Sequence, residues 1–400
     1  MIELLLGLAI LPLLLPAFSL LALTVAALGA GYPRARQLAP PTAPGGEWPR
    51  VAVLVPAHNE SVHVLPTIAC VQAQLGPRDR LVVIADNCND NTAALARAAG
   101  ANVIERRDPE RRGKGFALAF GADHLRSDPP EVVLVVDADC VLSEDAVAMI
   151  AQDCWRTAKP VQMLDLMSAG PDASLKLRVL EFAMRMKNLV RPLGSFRLGQ
   201  ACHLMGTGMA FPWPLFASAN LATGHVAEDM KLGVELTKAG HAPRFLADAR
   251  VSSAFMSDTG VAKGQKSRWE HGHLATLLEE LPSLLRAALS QRDPALLVLA
   301  MDLMIPPVAF YFMLISALLA GTVLAAWIWP VFRAMALLAA LGAACFTLAI
   351  GLAWFFFGRH LLSVRDLLST PLYAIWKLPV YVAFFLKKRS GWVRTKRHRE

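Results

Sequence analysis

Two aspartates one residue apart, Asp137 and Asp139, follow an unbroken apolar run. Carboxylate oxygens are the hard ligands that Mg²⁺ and Mn²⁺ prefer, and these ions commonly bridge the phosphate oxygens of nucleotides. The chain has no Walker A loop and no G-x-G-x-x-G turn after a strand, so a nucleotide bound here needs another phosphate handle. The pattern predicts a divalent-metal and diphosphate site at the two aspartates.

A second acidic pair, Glu228 and Asp229, opens a segment with helical spacing that continues to about Lys238. Acidic residues in a first helical turn complement the helix dipole, and this is the structural interpretation. A carboxylate there can also act as a general base that takes a proton from an attacking hydroxyl. The residues alone leave both interpretations open.

A third cluster combines amide, guanidinium and indole groups at Gln265, Arg268 and Trp269. The spacing i, i+3, i+4 places the three side chains on one face of a helix. An indole can stack on the apolar face of a sugar, while the other two groups donate hydrogen bonds to phosphate or hydroxyl oxygens. The structural alternative is an amphipathic helix with a half-buried tryptophan.

The elements that must position these clusters are short Val/Ile/Leu runs separated by helical stretches. Such near-continuous apolar runs are typical of parallel strands covered on both faces, and the alternation predicts a Rossmann-like, mostly parallel α/β sheet. The predicted strands are 51–55, 81–85, 102–105 and 132–136, and the predicted helices lie near 60–75, 91–99, 115–126 and 143–157.

Polar residues follow three of the predicted strands directly, over 56–60, 86–90 and 137–139. In open α/β sheets, ligands bind beyond the carboxyl ends of the strands, so these clusters predict one shared pocket. The alternative is loop and helix-cap chemistry, which Asp and Asn also favour.

The 400 residues are 55% hydrophobic, and the apolar excess lies at the two ends of the chain. This distribution is typical of an integral membrane protein with a water-exposed middle. Basic residues after the first apolar segment predict that the middle faces the cytoplasm. We expect a transmembrane helix over 1–31, a linker over 32–49, the catalytic domain over 50–280, interfacial helices over 281–303, a transmembrane hairpin over 304–357, an interfacial, re-entrant or fourth membrane segment over 358–386, and a basic cytosolic tail over 387–400.

The net charge of +8 does not indicate a nucleic-acid partner, because no RNA- or DNA-binding module is visible. Seven basic residues lie after the last apolar segment, where they favour the cytoplasmic side and anionic lipid. They are Lys387, Lys388, Arg389, Arg394, Lys396, Arg397 and Arg399.

The order D-x-D, E-D, Q-x-x-R-W between membrane segments resembles the membrane-bound family 2 glycosyltransferases, the group of cellulose synthase, hyaluronan synthase and ceramide glucosyltransferase. The resemblance implies an α/β GT-A fold, a nucleotide sugar, UDP-linked before GDP-linked, and Mg²⁺ or Mn²⁺ as cofactor. It also implies inversion at the sugar carbon, with Asp229 as general base and Glu228 beside it. The residue before this pair is Ala227, where many members carry threonine, so the positioning of the loop can differ.

The same resemblance distributes the remaining groups between donor and acceptor. Asp137 holds the donor, Asp139 the metal, and Trp269 stacks at the acceptor end. The implied acceptor set also includes Glu228, Gly206 and Gly208, the glycines lying in a loop over 205–212 that joins the two sites. The implied donor and nucleotide set is Pro56, His58, Glu60, Asp86, Lys114, Asp137, Gln265 and Arg268.

Three spans are few for a secretion channel, so the favoured product is a sugar added to a membrane-held acceptor, a lipid or lipid-linked oligosaccharide, in bacterial exopolysaccharide or glycolipid synthesis. The expected location is the inner membrane, with membrane lipids as partners. A processive polysaccharide synthase, completed by homo-oligomerisation or by exopolysaccharide assembly proteins, stays open because such enzymes share Q-x-x-R-W. A non-catalytic membrane scaffold is the distant alternative.

Overall fold

The computed structural model describes residues 2–29, 48–225, 227–255, 260–379 and 381–382. The predicted basic tail and nearly all of the predicted linker lie outside these residues. In chain order the elements are α1 (Ile2–Leu28), β1 (Val51–Ala57), α2 (Val64–Gln72), β2 (Arg80–Asp86), α3 (Thr92–Ala98), β3 (Asn102–Arg106), α4 (Lys114–Leu125), β4 (Val132–Val135), β5 (Val141–Leu142), α5 (Ala146–Thr157), β6 (Val161–Ser168), α6 (Leu175–Arg185), α7 (Arg191–Gly199), β7 (Met209–Pro212), α8 (Trp213–Ser218), α9 (Glu228–Lys238), β8 (Arg244–Ala254), α10 (Gly260–Gln291), α11 (Pro294–Leu303), α12 (Val308–Ile328), α13 (Arg333–Ala353) and α14 (Val364–Trp376).

The described chain divides into two units. An α/β unit contains every described strand, and a helical unit is formed by α1, by residues 169–199 and by the chain from residue 263 onwards. The catalytic domain expected over 50–280 therefore contributes residues to both units.

The strands form one sheet in the order β3-β2-β1-β4-β7-β6-β8-β5. β3, β2, β1 and β4 run parallel to one another, and β7 joins β4 antiparallel. Parallel pairing brings the carboxyl ends of β1, β2 and β4 to one edge, where the polar clusters lie. The predicted α/β sheet is confirmed, and its second half is mixed rather than parallel.

Side chains of β1 alternate between two apolar cores, one on each face of the sheet. Val53 and Val55 pack in the core that includes Ile68 of α2, whereas Leu54 packs in the core that includes Leu118 of α4. Because both faces are buried, the strand has no polar position and its sequence is a continuous apolar run.

The second half of the sheet contains strands that the apolar runs did not predict. The segment expected as a loop over 205–212 divides into a turn over 205–208 and the strand β7, which pairs with β4. β6 pairs with β8 in parallel, with a register shift between Met163 and Leu164.

The helical unit is held together by close helix packing and a buried ion pair. A Cβ atom on Gly194 of α7 would lie 2.0 Å from the carbonyl oxygen of Leu23 in α1, so only glycine permits this approach. Arg191 donates to Asp302 through Nε at 2.6 Å to the carboxylate and through Nη2 at 2.7 Å to the carbonyl oxygen. Both side chains are buried.

Three helical stretches in the described chain are long and apolar enough to cross a membrane, judged by length and composition: Ala9–Leu28, Val308–Ile328 and Pro330–Gly358. Over the segment expected as interfacial helices, α10 continues through Pro282, and a break occurs before Pro294. Pro294 begins α11, where its missing N–H group is tolerated.

Candidate active site

Lys114 links two of the predicted motifs at the edge of the sheet. It lies at the start of α4, and its Nζ atom bonds to the Asp137 carboxylate and donates to the carbonyl oxygen of Gly206 at 2.8 Å. The Lys114 side chain is 20% exposed and that of Asp137 is 39% exposed. The lysine thus lies between the D-x-D aspartate and the glycine loop. Because Asp137 stays partly exposed, a ligand can still reach it.

The lysine keeps its charge because carboxylates surround it. Burial favours its neutral form, but the negative charges of Asp137, Glu228 and Asp229 outweigh this effect and raise the pKa of Lys114. It is therefore a cation held in place before any ligand binds, as electrostatic stabilisation of a leaving group requires.

Glu228 and Asp229 lie in the first turn of α9, and the helix begins at this pair, as the sequence predicted. A Cβ atom on Gly206 would lie 3.3 Å from Oδ2 of Asp229 and 3.6 Å from Nζ of Lys114. The Asp229 carboxylate and the lysine thus both lie beside Gly206. Gly206 has φ of +90°, a conformation that favours glycine.

The pKa of Glu228 is raised to about 8. Burial is the largest cause and the adjacent charge of Asp229 adds to it, while Lys114 acts in the opposite direction. The surroundings of this carboxyl group therefore favour its protonated form more than water does.

The turn over 205–208 is held by Gln162, a fully buried residue of β6 that sequence reasoning missed. Its Nε2 atom donates to the carbonyl oxygens of Met163 and Thr207 at 2.8 Å, and its Oε1 atom accepts from the Met205 amide at 2.8 Å. Gly208 completes the turn with φ of +63°, and a Cβ atom there would lie 2.3 Å from the Met163 side chain. The signal available in the sequence was one amide inside an apolar run.

Thr207 connects this turn to the D-x-D motif. Its hydroxyl oxygen accepts a hydrogen bond from the backbone amide of Asp137 at 3.0 Å. Gln162, the glycine turn and Asp137 therefore form one bonded series that ends at Lys114.

Asp86 is a buried member of an ion pair at the end of β2. Its Oδ1 atom lies 2.7 Å from Nη1 of Arg106, and both side chains are 10% exposed. The Arg106 guanidinium lies 5.6 Å from the ring centre of Phe116, within cation–π range. Asn87 donates to the same carboxylate at 3.0 Å. Asn87 belongs to the polar cluster predicted over 86–90, whereas Arg106 was not predicted, because its role depends on pairing between β2 and β3.

The first polar cluster lies against this ion pair through backbone contacts. His58 donates through Nδ1 to the carbonyl oxygen of Asp86 at 2.7 Å. The Glu60 amide donates to the Thr92 hydroxyl at 2.9 Å, and Pro56 lies in β1 opposite Ile84 of β2. The structure thus brings Pro56, His58, Glu60 and Asp86 to the same edge of the sheet.

The chemistry of the D-x-D motif fits a divalent ion that also binds a ligand. Asp139 is exposed, and both aspartates present hard oxygen atoms. No group of three or more His, Cys, Asp or Glu side chains that could hold a metal occurs in the described part of the chain. Diphosphate oxygens and water would therefore complete the coordination, as is usual for Mg²⁺ with nucleotides.

The Q-x-x-R-W segment (265–269) lies within α10. Trp269 is half-buried, while the side chains of Gln265 and Arg268 are outside the described residues. His273, one turn further on, is buried and donates through Nε2 to the carbonyl oxygen of Ile305 at 3.0 Å. His273 therefore anchors the helix within the helical unit.

The structure thus combines a mixed α/β sheet with a D-x-D motif that follows β4 and an E-D pair that begins α9. Residues 49–272 match the family described as "Glycosyltransferase like family 2". Because this match covers more than half of the chain, the chain belongs to that family and is a family 2 glycosyltransferase. The family and the enzyme class predicted from the three motifs are confirmed.

Curated relatives match over part of their length. A 4,4'-diaponeurosporenoate glycosyltransferase of Staphylococcus haemolyticus is 28% identical over 197 residues, which are 46% of this chain and 50% of that protein. The probable glycosyltransferase YdaM of Bacillus subtilis is 34% identical over 101 residues, 23% of each chain. The chain thus matches half or less of the length of these relatives.

Among solved structures, a mannosyltransferase from Pyrobaculum calidifontis in complex with GDP-Man and Mn²⁺ superposes with a TM-score of 0.50 at 19% identity. The superposition covers 84% of this chain and 99% of the mannosyltransferase. This likeness confirms the GT-A fold.

Proposed function

We propose that the protein transfers a sugar from a nucleotide sugar, UDP-linked by preference, to a membrane-held acceptor with inversion at the anomeric carbon. The observation that carries the proposal is the contact of Lys114 with both Asp137 and the Gly206 carbonyl, next to the Asp229 carboxylate. A donor-binding aspartate, a fixed cation and a candidate base thereby share one site.

In this proposal Asp229 is the general base. It takes the proton from the acceptor hydroxyl while the hydroxyl oxygen forms a bond to the anomeric carbon. The bond between that carbon and the diphosphate breaks, and the nucleoside diphosphate leaves on the opposite face with the electron pair. Lys114 offsets the charge that develops on the leaving diphosphate.

Asp137 and Asp139 would hold Mg²⁺ or Mn²⁺ together with the donor diphosphate. The ion would supply further positive charge at the leaving group. Asp137 would then have a second cationic partner besides Lys114. The nucleoside would bind near Asp86, whose carboxylate is held in place by Arg106.

The proposed acceptor is a lipid or a lipid-linked oligosaccharide. Three stretches suited to membrane spans support it, as does the position of Trp269 in the helical unit that contains them. The staphylococcal relative is named as a glycosyltransferase of 4,4'-diaponeurosporenoate, which is compatible with an acceptor other than a polysaccharide. We propose further that the enzyme lies in the inner membrane with the α/β unit on the cytoplasmic side.

Product size tests this choice of acceptor. Purified enzyme in lipid nanodiscs is incubated with radiolabelled UDP-sugars, Mn²⁺ or Mg²⁺, and a bacterial lipid extract. One organic-soluble labelled species is the expected product. A ladder of high molecular weight would overturn single transfer and favour the processive synthase, which shares the Q-x-x-R-W motif.

A further inference from the structure

The helix α14 is tied to the helical unit at both ends by charged side chains. Near its start, Asp366 pairs with Arg178 of α6 at 3.1 Å, and Ser363 and Asp366 exchange capping hydrogen bonds. Just beyond its end, Lys377 pairs with Glu270 of α10, and both side chains of this pair are largely buried. The Asp366–Arg178 and Lys377–Glu270 ion pairs thus fix which side of α14 faces the rest of the helical unit.

The path of α14 is that of a helix lying at one end of the α12–α13 hairpin. Tyr381, beyond the end of α14, stacks 5.0 Å from Phe310 in the first turn of α12. The start of α14 follows closely on the end of α13, which is the same end of the hairpin. A helix that crossed the membrane beside the hairpin would instead place Tyr381 near the turn at 329–332.

One face of α14 is apolar and exposed. Val364, Leu368 and Leu372 follow one another at intervals of four residues, and the two leucines are 76% and 73% exposed. Ala374 near the end of α14 is buried, as are Lys377 and Tyr381 just beyond it. A helix with an exposed apolar face and polar contacts elsewhere is suited to lie in a membrane interface.

We propose that the exposed face of α14 lies on an anionic lipid surface, and that the Lys377–Glu270 ion pair makes α14 a positioning element for the Q-x-x-R-W segment. The charge of the chain favours this occupant, because seven basic residues follow within 387–400 and such clusters bind anionic headgroups. The same apolar character belongs to the neighbouring α12 and α13, which are suited to a membrane.

The link to chemistry rests on the proposed function. Glu270 directly follows Trp269, so the ion pair fixes the turn of α10 that carries the indole. His273 fixes the next turn through Ile305. Binding of α14 to lipid would hold Trp269 in position for the acceptor. Loss of lipid binding or of the Lys377–Glu270 ion pair would make the α10 turn that carries Trp269 more mobile.

The test uses the full-length enzyme in nanodiscs of phosphatidylcholine with and without phosphatidylglycerol. Hydrogen exchange is measured over 269–276, and sugar transfer is measured in parallel. For the wild type, phosphatidylglycerol should slow exchange and raise transfer by about three- to tenfold, the size expected when a few basic residues engage such a surface. The double variant Leu368→Ser/Leu372→Ser should lose both responses, whereas Trp155→Ser, an exposed apolar residue of the α/β unit, should keep them.

Charge variants test the ion pair separately. Glu270→Gln and Lys377→Met should each lose the exchange response, and the reversed pair Glu270→Lys/Lys377→Glu should regain part of it. Hydrogen exchange over β1 and β4 should be unchanged in all of them, which shows that the α/β unit is intact. A normal lipid response in Leu368→Ser/Leu372→Ser, or no recovery in the reversed pair, would overturn the proposal.

Hydrogen exchange over 269–276 distinguishes failure of the role of α14 from failure of the proposed sugar transfer. A wild-type enzyme that shows the exchange response without transferring sugar to any lipid would contradict the function alone. Transfer without any effect of lipid charge on exchange would contradict the role of α14 alone.

Discussion

Each unit of the protein contains a shielded cation bound to a carboxylate, and the two arrangements differ in balance. In the helical unit, Arg191 and Asp302 form a one-to-one pair whose side chains are 5% and 6% exposed. In the α/β unit, Lys114 is surrounded by three carboxylates, and the aspartate that it contacts is 39% exposed. The first pair is neutral and closed, whereas the second cluster is unbalanced and open to a ligand.

This difference separates a structural ion pair from a functional one. A buried pair whose charges cancel mainly penalises the loss of one partner. An excess of carboxylates around one lysine is costly without a ligand and is compensated when cations and donor arrive, so perturbed groups of this kind concentrate at functional sites. The following variants test whether the two clusters behave differently.

Of the two cations compared here, removal of the lysine should have the larger effect on the reaction. Lys114→Met leaves Asp137 and the Gly206 carbonyl without their cation, so transfer should fall by about 10²–10³-fold, as for loss of a preorganised charge at a leaving group. Initial rates at saturating acceptor measure the effect, with Lys159→Met as the control. A Lys114→Met enzyme with near-normal turnover would show that the cluster is only structural.

Breaking the closed pair should affect stability instead of chemistry. Asp302→Ala leaves Arg191 buried without its counter-charge, and the free energy of unfolding should decrease by about 3–5 kcal/mol. The double variant Arg191→Met/Asp302→Leu should recover much of it, because no uncompensated charge remains. Thermal unfolding in detergent, with turnover corrected for folded protein, distinguishes this from a catalytic effect. Equal stability of Asp302→Ala and wild type would contradict the assignment.

The glycine turn should respond to its buried amide. Gln162→Leu removes the bonds to Met163, Thr207 and Met205, so Gly206 loses its fixed position and kcat should fall by roughly tenfold. Gln72→Leu, whose amide bonds to a backbone carbonyl at the surface, is the matched control. If kcat is unchanged and only thermal stability falls, Gln162 does not position the turn for catalysis.

The smallest expected effect is a dependence of stability on pH at Glu228. Its pKa in the folded state, about 8, lies above its ordinary value of 4.5. The folded state therefore binds this proton more tightly, and stability falls as the pH rises through this window. Glu228→Gln removes the effect, so its melting temperature relative to wild type should rise between about pH 5 and about pH 9. The same difference at both pH values would contradict the raised pKa.

The sequence predicted the elements that are defined by their own residues and missed those that are defined by pairing with distant segments. β1, β2 and β4 were predicted because burial on both faces demands an unbroken apolar run. β7 was missed because it has only four residues and is defined by its pairing with β4. β8 was missed because polar residues separate its buried residues Phe245, Ala249 and Val251, so the strand has no continuous apolar run.

The same distinction holds for the site. The acidic motifs were visible as short patterns, but the bond from Lys114 to Gly206 joins residues 92 positions apart. The family resemblance assigned Lys114 to the donor and nucleotide set, and its contacts with Asp137 and the glycine turn became visible only in the structure. Arg106 and Gln162 likewise acquire their roles through strand pairing, which no local pattern encodes.

The most direct test of the central claim compares Asp229→Asn with wild type in two measurements on one preparation. One is the rate of sugar transfer and the other is the affinity for the UDP-sugar donor with Mn²⁺. We predict that transfer falls by at least about 10³-fold while donor affinity changes by less than about threefold, because the base acts on the acceptor hydroxyl. Near-normal transfer by Asp229→Asn would contradict the account.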